Sequence, residues 1–267
     1  MSANSFSLLG SSSSGNSGFL ETDHSKVLID LGFSGRRTLK FLEQLGTSIT
    51  EIDAIFLTHE HSDHATGLSG LSKHPDIQIY ANRDTARAIQ SKLKWRPNWK
   101  IFETGSTFKV GDIEVSAFSV PHDAYDPVGY TFTWGYGDLF SPIQSLAWAT
   151  DMGYVPESVK NHLKSVDTLV IEANYDEDLL EKDLKRPWSV KQRIRGRHGH
   201  LSNQDVIKLF KEIERPNWKQ VFLVHLSRDC NCKDHVKNLF SSIADYSRKF
   251  ELSIVDPEEF CPKPIFF

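Results

Sequence analysis

The chain has 267 residues, 39% hydrophobic and 25% charged, with a formal net charge of −4. That is enough chain for one large core, and the balance excludes coating nucleic acid or membrane by bulk basic charge. Three cysteines, Cys230, Cys232 and Cys261, make no disulfide framework and fit a reducing compartment. No basic segment followed by an apolar core opens the chain, and no apolar run approaches the ~20 residues of a membrane span. The expectation is one cytoplasmic domain over residues 1–267, without membrane association.

Short apolar runs alternate with amphipathic ones. In chain order, strands are expected at Ser5–Leu9, Gly18–Glu21, Lys26–Asp30, Ala54–Thr58, Ile77–Tyr80, Ile113–Val120, Gly129–Thr133, Leu146–Thr150, Thr168–Glu172, Gln220–Val224 and Leu252–Val255. Helices are expected to begin near Arg36, His64, Asp84, Pro156, Ser202 and Lys233; "SNQDVIKLF" carries a capping signature at Ser202. The run "GSSSSGNSG" (Gly10–Gly18) reads as a hairpin loop.

The unusual polar residues fall at strand ends. "VLID" ends in Asp30, "IFLTH" in His59, "FSVPH" in His122, "AWATD" in Asp151 and "VFLVH" in His225. In layered α/β proteins, sites gather where strands end at their carboxyl side. One such ending means little, but five drawn only from Asp and His point to a shared site.

"THEHSDH" (Thr58–His64) packs ligand-type side chains more densely than any other stretch. His59 and His61, two apart on extended chain, point to one side. Asp63 and His64 fall in the first turn of the next helix and can turn to a neighbouring ion, so the spacing suits two metals. It differs from the helical His-Glu-x-x-His arrangement, because Asp63 stands four after His59. Together with His122, Asp151 and His225, so many ionisable groups are costly to gather without a compensating cation. His24, His74, His162, His198 and His235 lack such context and read as surface or hydrogen-bonded residues.

"THEHSDH" resembles the signature of the metallo-β-lactamase fold, and the later strand ends match that fold's other motifs in order over nearly the whole chain. The resemblance implies an α/β fold, a four-layer αββα sandwich with a dinuclear metal site at one edge. By position, His59, His61 and His122 would hold one ion, and Asp63, His64 and His225 the other, with Asp151 bridging them. Asp30 would steady the histidine loop through hydrogen bonds. "GSSSSGNSGFLE", "DLGFSGRR", "PHDAYDPVGY", "ATDMGYVPE", "LVIEANYD", "KRPWSVKQRI", "GHLSNQD" and "HLSRDCN" together resemble the YycJ/WalJ-like branch, which is associated with DNA exonuclease activity. Tyr175 in "EANYD" departs from a His in many relatives.

The resemblance implies two divalent ions (zinc, manganese or iron) and a nucleic-acid substrate, DNA ahead of RNA, attacked by hydroxide held between the ions. "RGRHGHLSNQDV" resembles the histidine segment of ribonuclease Z, which makes His200, with Asp63, a candidate for the catalytic step. The run Lys182–Arg197 carries seven Lys or Arg and one acid; with Trp188 it is a candidate phosphate-backbone surface through Arg193, Arg195 and Arg197. Backbone N–H groups around Ser12, Ser13 and Asn16 are a further candidate for a phosphate contact. The rival readings are hydrolysis of a small ester, thioester or lactam, which calls for an apolar pocket, and a metal-dependent binding domain without turnover.

Overall fold

The computed structural model describes residues 4–138, 142–241, 250–257 and 264–267. The first sheet is built from β1 (Ser5–Ser12), β2 (Gly15–Glu21), β3 (Lys26–Ile29), β4 (Ala54–Phe56), β5 (Gln78–Asn82) and β6 (Asn98–Phe102). The second contains β7 (Thr107–Val110), β8 (Ile113–Ser119), β9 (Val128–Trp134), β10 (Gln144–Ala149), β11 (Thr168–Glu172), β12 (Gln220–Val224) and β13 (Glu251–Ile254). A last strand, β14 (Pro264–Phe266), returns to the outer edge of β1, making two seven-stranded sheets.

Alternation along the strands explains why the sheets pack in layers. In β10, Leu146 and Trp148 face one way and Ala147 and Ala149 the other; in β12, Phe222 and Val224 oppose Val221 and Leu223. The first set of each meets Phe6, Val27, Ile29 and Phe56 of the other sheet in a central core. The opposite face of the second sheet is covered by α4 (Glu157–Lys164), α7 (Asn203–Glu212) and α8 (Lys233–Ser241), through Leu163, Phe210 and Phe240. The first sheet is covered by α1 (Gly35–Gln44) and α3 (Arg83–Gln90), through Phe41, Leu42 and Ile89. Two sheets face to face with helices outside both is the expected αββα arrangement.

β3 to β6 run parallel, as do β10 to β13. Parallel register aligns strand ends: Ile29 lies beside Phe56, Ala149 beside Ile171, and Glu172 beside Val224. The residues that follow therefore emerge at the same edge. Asp30, Asp151 and His225 turn out of their strands with left-handed backbone, φ 57°, 59° and 57°. Asp and His tolerate this region better than most residues.

Several expectations need correcting. The serine-glycine run is mostly strand: β1 and β2 extend through it, leaving only Ser13 and Ser14 at the turn. β6, β7 and β14 were not anticipated; each is short and half exposed, so its apolar alternation is weak. Two helices were also missed. In α5 (Glu177–Lys182), six residues are too few for a hydrophobic period, although Asp176 caps it by accepting from Asp178 and Leu179 N–H at 3.0 Å. In α6 (Trp188–Arg195), only Lys191 is buried, so no apolar face announces the helix. The capping box at Ser202 is present, with Ser202 Oγ accepting from Asp205 N–H at 3.0 Å and Asp205 Oδ2 from Ser202 N–H at 3.1 Å. Among the described residues no helix is long and apolar enough to cross a membrane. Cys261 lies outside the described residues.

Candidate metal centre

The loop after β4 and the short helix α2 (Ser62–Ala65) carry the histidine motif. They are sewn to the chain after β3: Leu31 N–H donates to His64 O at 2.7 Å and Gly67 N–H to Leu31 O at 2.8 Å. At Gly32 the approach is so close that a Cβ would sit 1.7 Å from Asp63 O, so only glycine fits.

Asp30, fully buried, fastens this loop. Its Oδ1 accepts from Thr58 N–H at 2.9 Å, and its Oδ2 from His64 Nδ1–H at 2.8 Å and Trp148 Nε1–H at 3.2 Å. Thr58 Oγ1 also stands 3.0 Å from both carboxylate oxygens. With that hydroxyl hydrogen given to Asp30, Thr58 Oγ1 accepts from His59 Nδ1–H at 3.0 Å, which leaves His59 Nε2 bare. His122 Nδ1 is likewise anchored on Gly199 O at 3.1 Å. Burial holds His59 and His122 below the ordinary imidazole range; His59 Nε2 has no partner, and His122 Nε2 faces His61 Nδ1 at 3.3 Å. Histidines tethered through one nitrogen and open at the other are the usual preparation for a cation.

The side chains converge in two groups. The rings of His59, His61 and His122 lie 4.6–5.1 Å apart. Asp63 Oδ2 stands 3.5 Å from both His64 Nε2 and His225 Nε2. Asp151 lies between them: Oδ2 is 3.1 Å from His64 Nε2, and Oδ1 is 3.4 Å from His225 Nδ1 and 3.9 Å from His122 Nε2. Donor atoms within each triad, His59/His61/His122 and Asp63/His64/His225, lie within 4.8 Å of one another. His59 Nε2, Asp151 Oδ2 and His225 Nε2 are buried without a hydrogen-bond partner, the last two having only the ion-pair approaches just given. Orphaned ligand atoms at one point fit a divalent cation. Burial works against charge on His64 and His225, yet Asp30, Asp151 and Asp63 raise His64 well above the ordinary range, and Asp151, Asp63 and Glu172 raise His225 to about 10. A metal there displaces protons.

The residue that sequence reasoning missed is Glu172. It closes β11 as His225 closes β12, and admitting Glu to the strand-end rule would have found it. Fully buried, its Oε1 accepts from Met152 N–H at 2.6 Å and Leu201 N–H at 3.0 Å, while Oε2 faces His200 Nδ1 at 3.0 Å and His225 Nδ1 at 3.2 Å. His200 is thereby brought to the cluster. Burial works against its charge, but the Glu172 carboxylate prevails and raises the imidazole above the ordinary range. The ring stays 23% exposed, with Nε2 as its free nitrogen.

Other candidates divide. Asn16 reaches the cluster, its Nδ2 3.1 Å from His64 Nε2 and 3.3 Å from Asp63 Oδ2. Ser11, also missed, donates to Asn16 Oδ1 at 2.6 Å and accepts from His225 N–H at 3.0 Å. Ser12 Oγ serves the local turn by accepting from Ser14 N–H at 3.1 Å, and Ser13 is exposed at its tip. The basic run is not one free surface, because acids outside it neutralise much of it. Lys185 and Arg186 pair with Asp229, Arg193 with Asp123, and Arg195 with Glu181. Arg193 stands at the mouth of the site, since Asp123 Oδ1 is 3.3 Å from His122 Nε2; Arg197 instead stacks on Tyr154, 4.7 Å over the ring. Tyr175 packs with Leu180 and Cys230 and supplies no ligand atom to the groups above.

A family model described as the Beta-lactamase superfamily domain matches residues 25–226. The chain belongs to this superfamily and is a metal-dependent hydrolase of the metallo-β-lactamase fold. Within it, the chain is 34% identical to Exodeoxyribonuclease YycJ of Bacillus anthracis, over 95% of this chain and 96% of that protein. It is 36% identical to Exodeoxyribonuclease WalJ of Streptococcus pneumoniae serotype 2, over 86% and 84%. These likenesses bear out the YycJ/WalJ-like branch expected from the loops. The fold is shared with Zn(2+)-bound PqqB of Methylobacterium extorquens, at a TM-score of 0.69 and 17% identity over 98% of this chain and 100% of that one.

Replacing Asp30 by Ala leaves the His64 imidazolium, Thr58 and Trp148 buried without their acceptor. Stability by denaturant unfolding is expected to fall by about 3–5 kcal/mol, the cost of breaking a buried pair from one side. An unchanged midpoint would contradict the role given to this carboxylate.

Proposed function

We propose that the chain hydrolyses phosphodiester bonds of nucleic acid, most specifically of DNA from an end, using two divalent ions. His59, His61 and His122 would hold one, Asp63, His64 and His225 the other, and Asp151 would serve both. The observation that carries this reading is a full donor set standing beside the His200 imidazole, which a buried carboxylate faces at 3.0 Å. The names of the relatives similar over nearly the whole chain point the same way. When bound, two such ions supply Lewis acidity to phosphoryl oxygens and lower the pKa of a water from 15.7 to about 7.

The chain's own residues have distinct tasks. Asp30 and Thr58 fix the histidine loop, and Asn16 limits the freedom of Asp63 and His64. Glu172 orients His200 through Nδ1, and His200 donates a proton from Nε2 to the leaving sugar oxygen. The free thiols of Cys230 and Cys232 accord with a cytoplasmic setting.

End-labelled single- and double-stranded DNA and RNA, incubated with protein loaded separately with zinc, manganese or iron, test the reading. Progressive shortening of DNA by wild type, and none by His61→Ala, is expected; survival of every polymer under every metal would overturn it.

Glu172→Gln is expected to lower kcat about 10²–10⁴-fold, the usual range for general acid catalysis, with metal content retained. The sign of its pH effect follows from the charge removed. His200 must be protonated to act, so activity falls as pH rises through its pKa. Without the carboxylate that pKa drops, and the alkaline limb of the kcat profile moves to lower pH. A limb that stays in place would remove Glu172 from this role.

A further inference from the structure

From His122 a cleft of about 410 Å³ opens away from the ligand cluster, between the 121–127 loop and the chain that follows Asp151. Its walls include Pro121, Tyr125, Pro127, Tyr154, Pro156 and His198. Its volume falls within the roughly 300–1,000 Å³ of small-ligand sites. The loop on one side is firmly held. Tyr125 N–H donates to Glu60 Oε1 at 3.1 Å, Asn82 Nδ2–H to Asp126 O at 2.6 Å, and Thr104 Oγ1–H to Asp126 Oδ2 at 2.7 Å. Glu60, the acid inside the histidine motif, thus sets the loop rather than serving as a ligand.

On this pinned backbone the ring of Tyr125 is 76% exposed. Among the described residues its side chain has no hydrogen-bond or ring partner, so the fold gains little from an aromatic there. Across the cleft, Tyr154 lies under the Arg197 guanidinium. The two loops that carry them are locked together, because a Cβ at Gly153 would come within 2.3 Å of the Arg197 carbonyl carbon. The cleft therefore presents two rings on pinned backbone, with the Arg197 guanidinium beside one of them. Rings that take the face of any base, next to cations that take its phosphate, are the means of binding single-stranded nucleic acid.

We propose that this cleft is a nucleobase subsite. It takes one unpaired purine or pyrimidine next to the scissile phosphate, stacked on Tyr125, with the Tyr154–Arg197 pair as a further wall and Arg197 on the strand's phosphate. The inference rests on the nucleic-acid reading above and deepens it: the strand enters with its terminal base free of a complement, so duplex ends must fray before they are cut.

The test uses the full chain in EDTA, so that nothing is hydrolysed. Single-stranded DNA carries a distal dye for anisotropy and 2-aminopurine at the second nucleotide from the 5′ end or, in a second oligonucleotide, from the 3′ end. Wild type is expected to quench one of the two. Tyr125→Ala should abolish that quenching and weaken binding by about tenfold, within the range found for base–aromatic stacking. An abasic nucleotide at the same place should weaken binding to wild type by a similar factor and to Tyr125→Ala hardly at all. Quenching retained by Tyr125→Ala, or equal affinity of wild type for abasic and base-bearing strands, would overturn the subsite. If wild type shortens DNA with metal yet shows either result, the subsite alone falls. If it neither binds nor cuts any oligonucleotide but turns over a thioester, the nucleic-acid reading falls with it.

Discussion

One buried carboxylate organises the candidate metal centre. Asp30 ends a strand of the first sheet, receives Trp148 from the second, and holds both Thr58 of the loop after β4 and His64 of α2. Through Thr58 it also determines which nitrogen of His59 is bare. A carboxylate so deep is costly unless all its lone pairs are engaged. Here the acceptor sites are taken by donors from three parts of the chain, so the arrangement that stabilises Asp30 is also the one that aims the histidines.

The backbone at this edge is strained in a consistent way. Among the described residues, the non-glycine positions with positive φ are Asp30, Asp151, Arg215 and His225, and three of these lie at the site. Each such conformation costs on the order of 1–3 kcal/mol and persists only where its surroundings insist on it. A residue that simply continued its strand would point into the core on one face of its sheet or the other. The left-handed turn instead brings the side chain over the strand ends, where the two sheets meet. Core packing of Phe6, Phe56, Trp148 and Phe222 supports that edge from below.

Much of this was legible in the sequence because it depends on period and position. Alternation of apolar residues gave most of the strands, the resemblance carried by Thr58–His64 implied the sandwich, and the polar residue closing each apolar run marked Asp30, His59, His122, Asp151 and His225. Glu172 escaped because glutamate at a strand end is ordinary, and its importance rests on a contact with His200, distant in the chain. Ser11 escaped because a serine-rich stretch reads as loop, whereas the β1–β2 ladder carries it to His225 N–H. The pairing of the basic run escaped for a related reason. Its counter-charges, Asp123, Glu181 and Asp229, lie outside it, and only folding brings them together. Local pattern reveals elements and their ends; pairing across the fold does not appear in a string of residues.

The central claim is that strand ends from both sheets form one centre for two cations, with His200 beside it rather than in it. The most direct measurement is diffraction from crystals of the zinc-loaded protein, collected on both sides of the zinc absorption edge. The account predicts two anomalous peaks, one within reach of His59, His61 and His122 and one within reach of Asp63, His64 and His225, with Asp151 touching both and His200 touching neither. A single peak, or one held by Asp151, Glu172, His200 and His225, would contradict it, since those four side chains also bring their ligand atoms within 4.8 Å of one another.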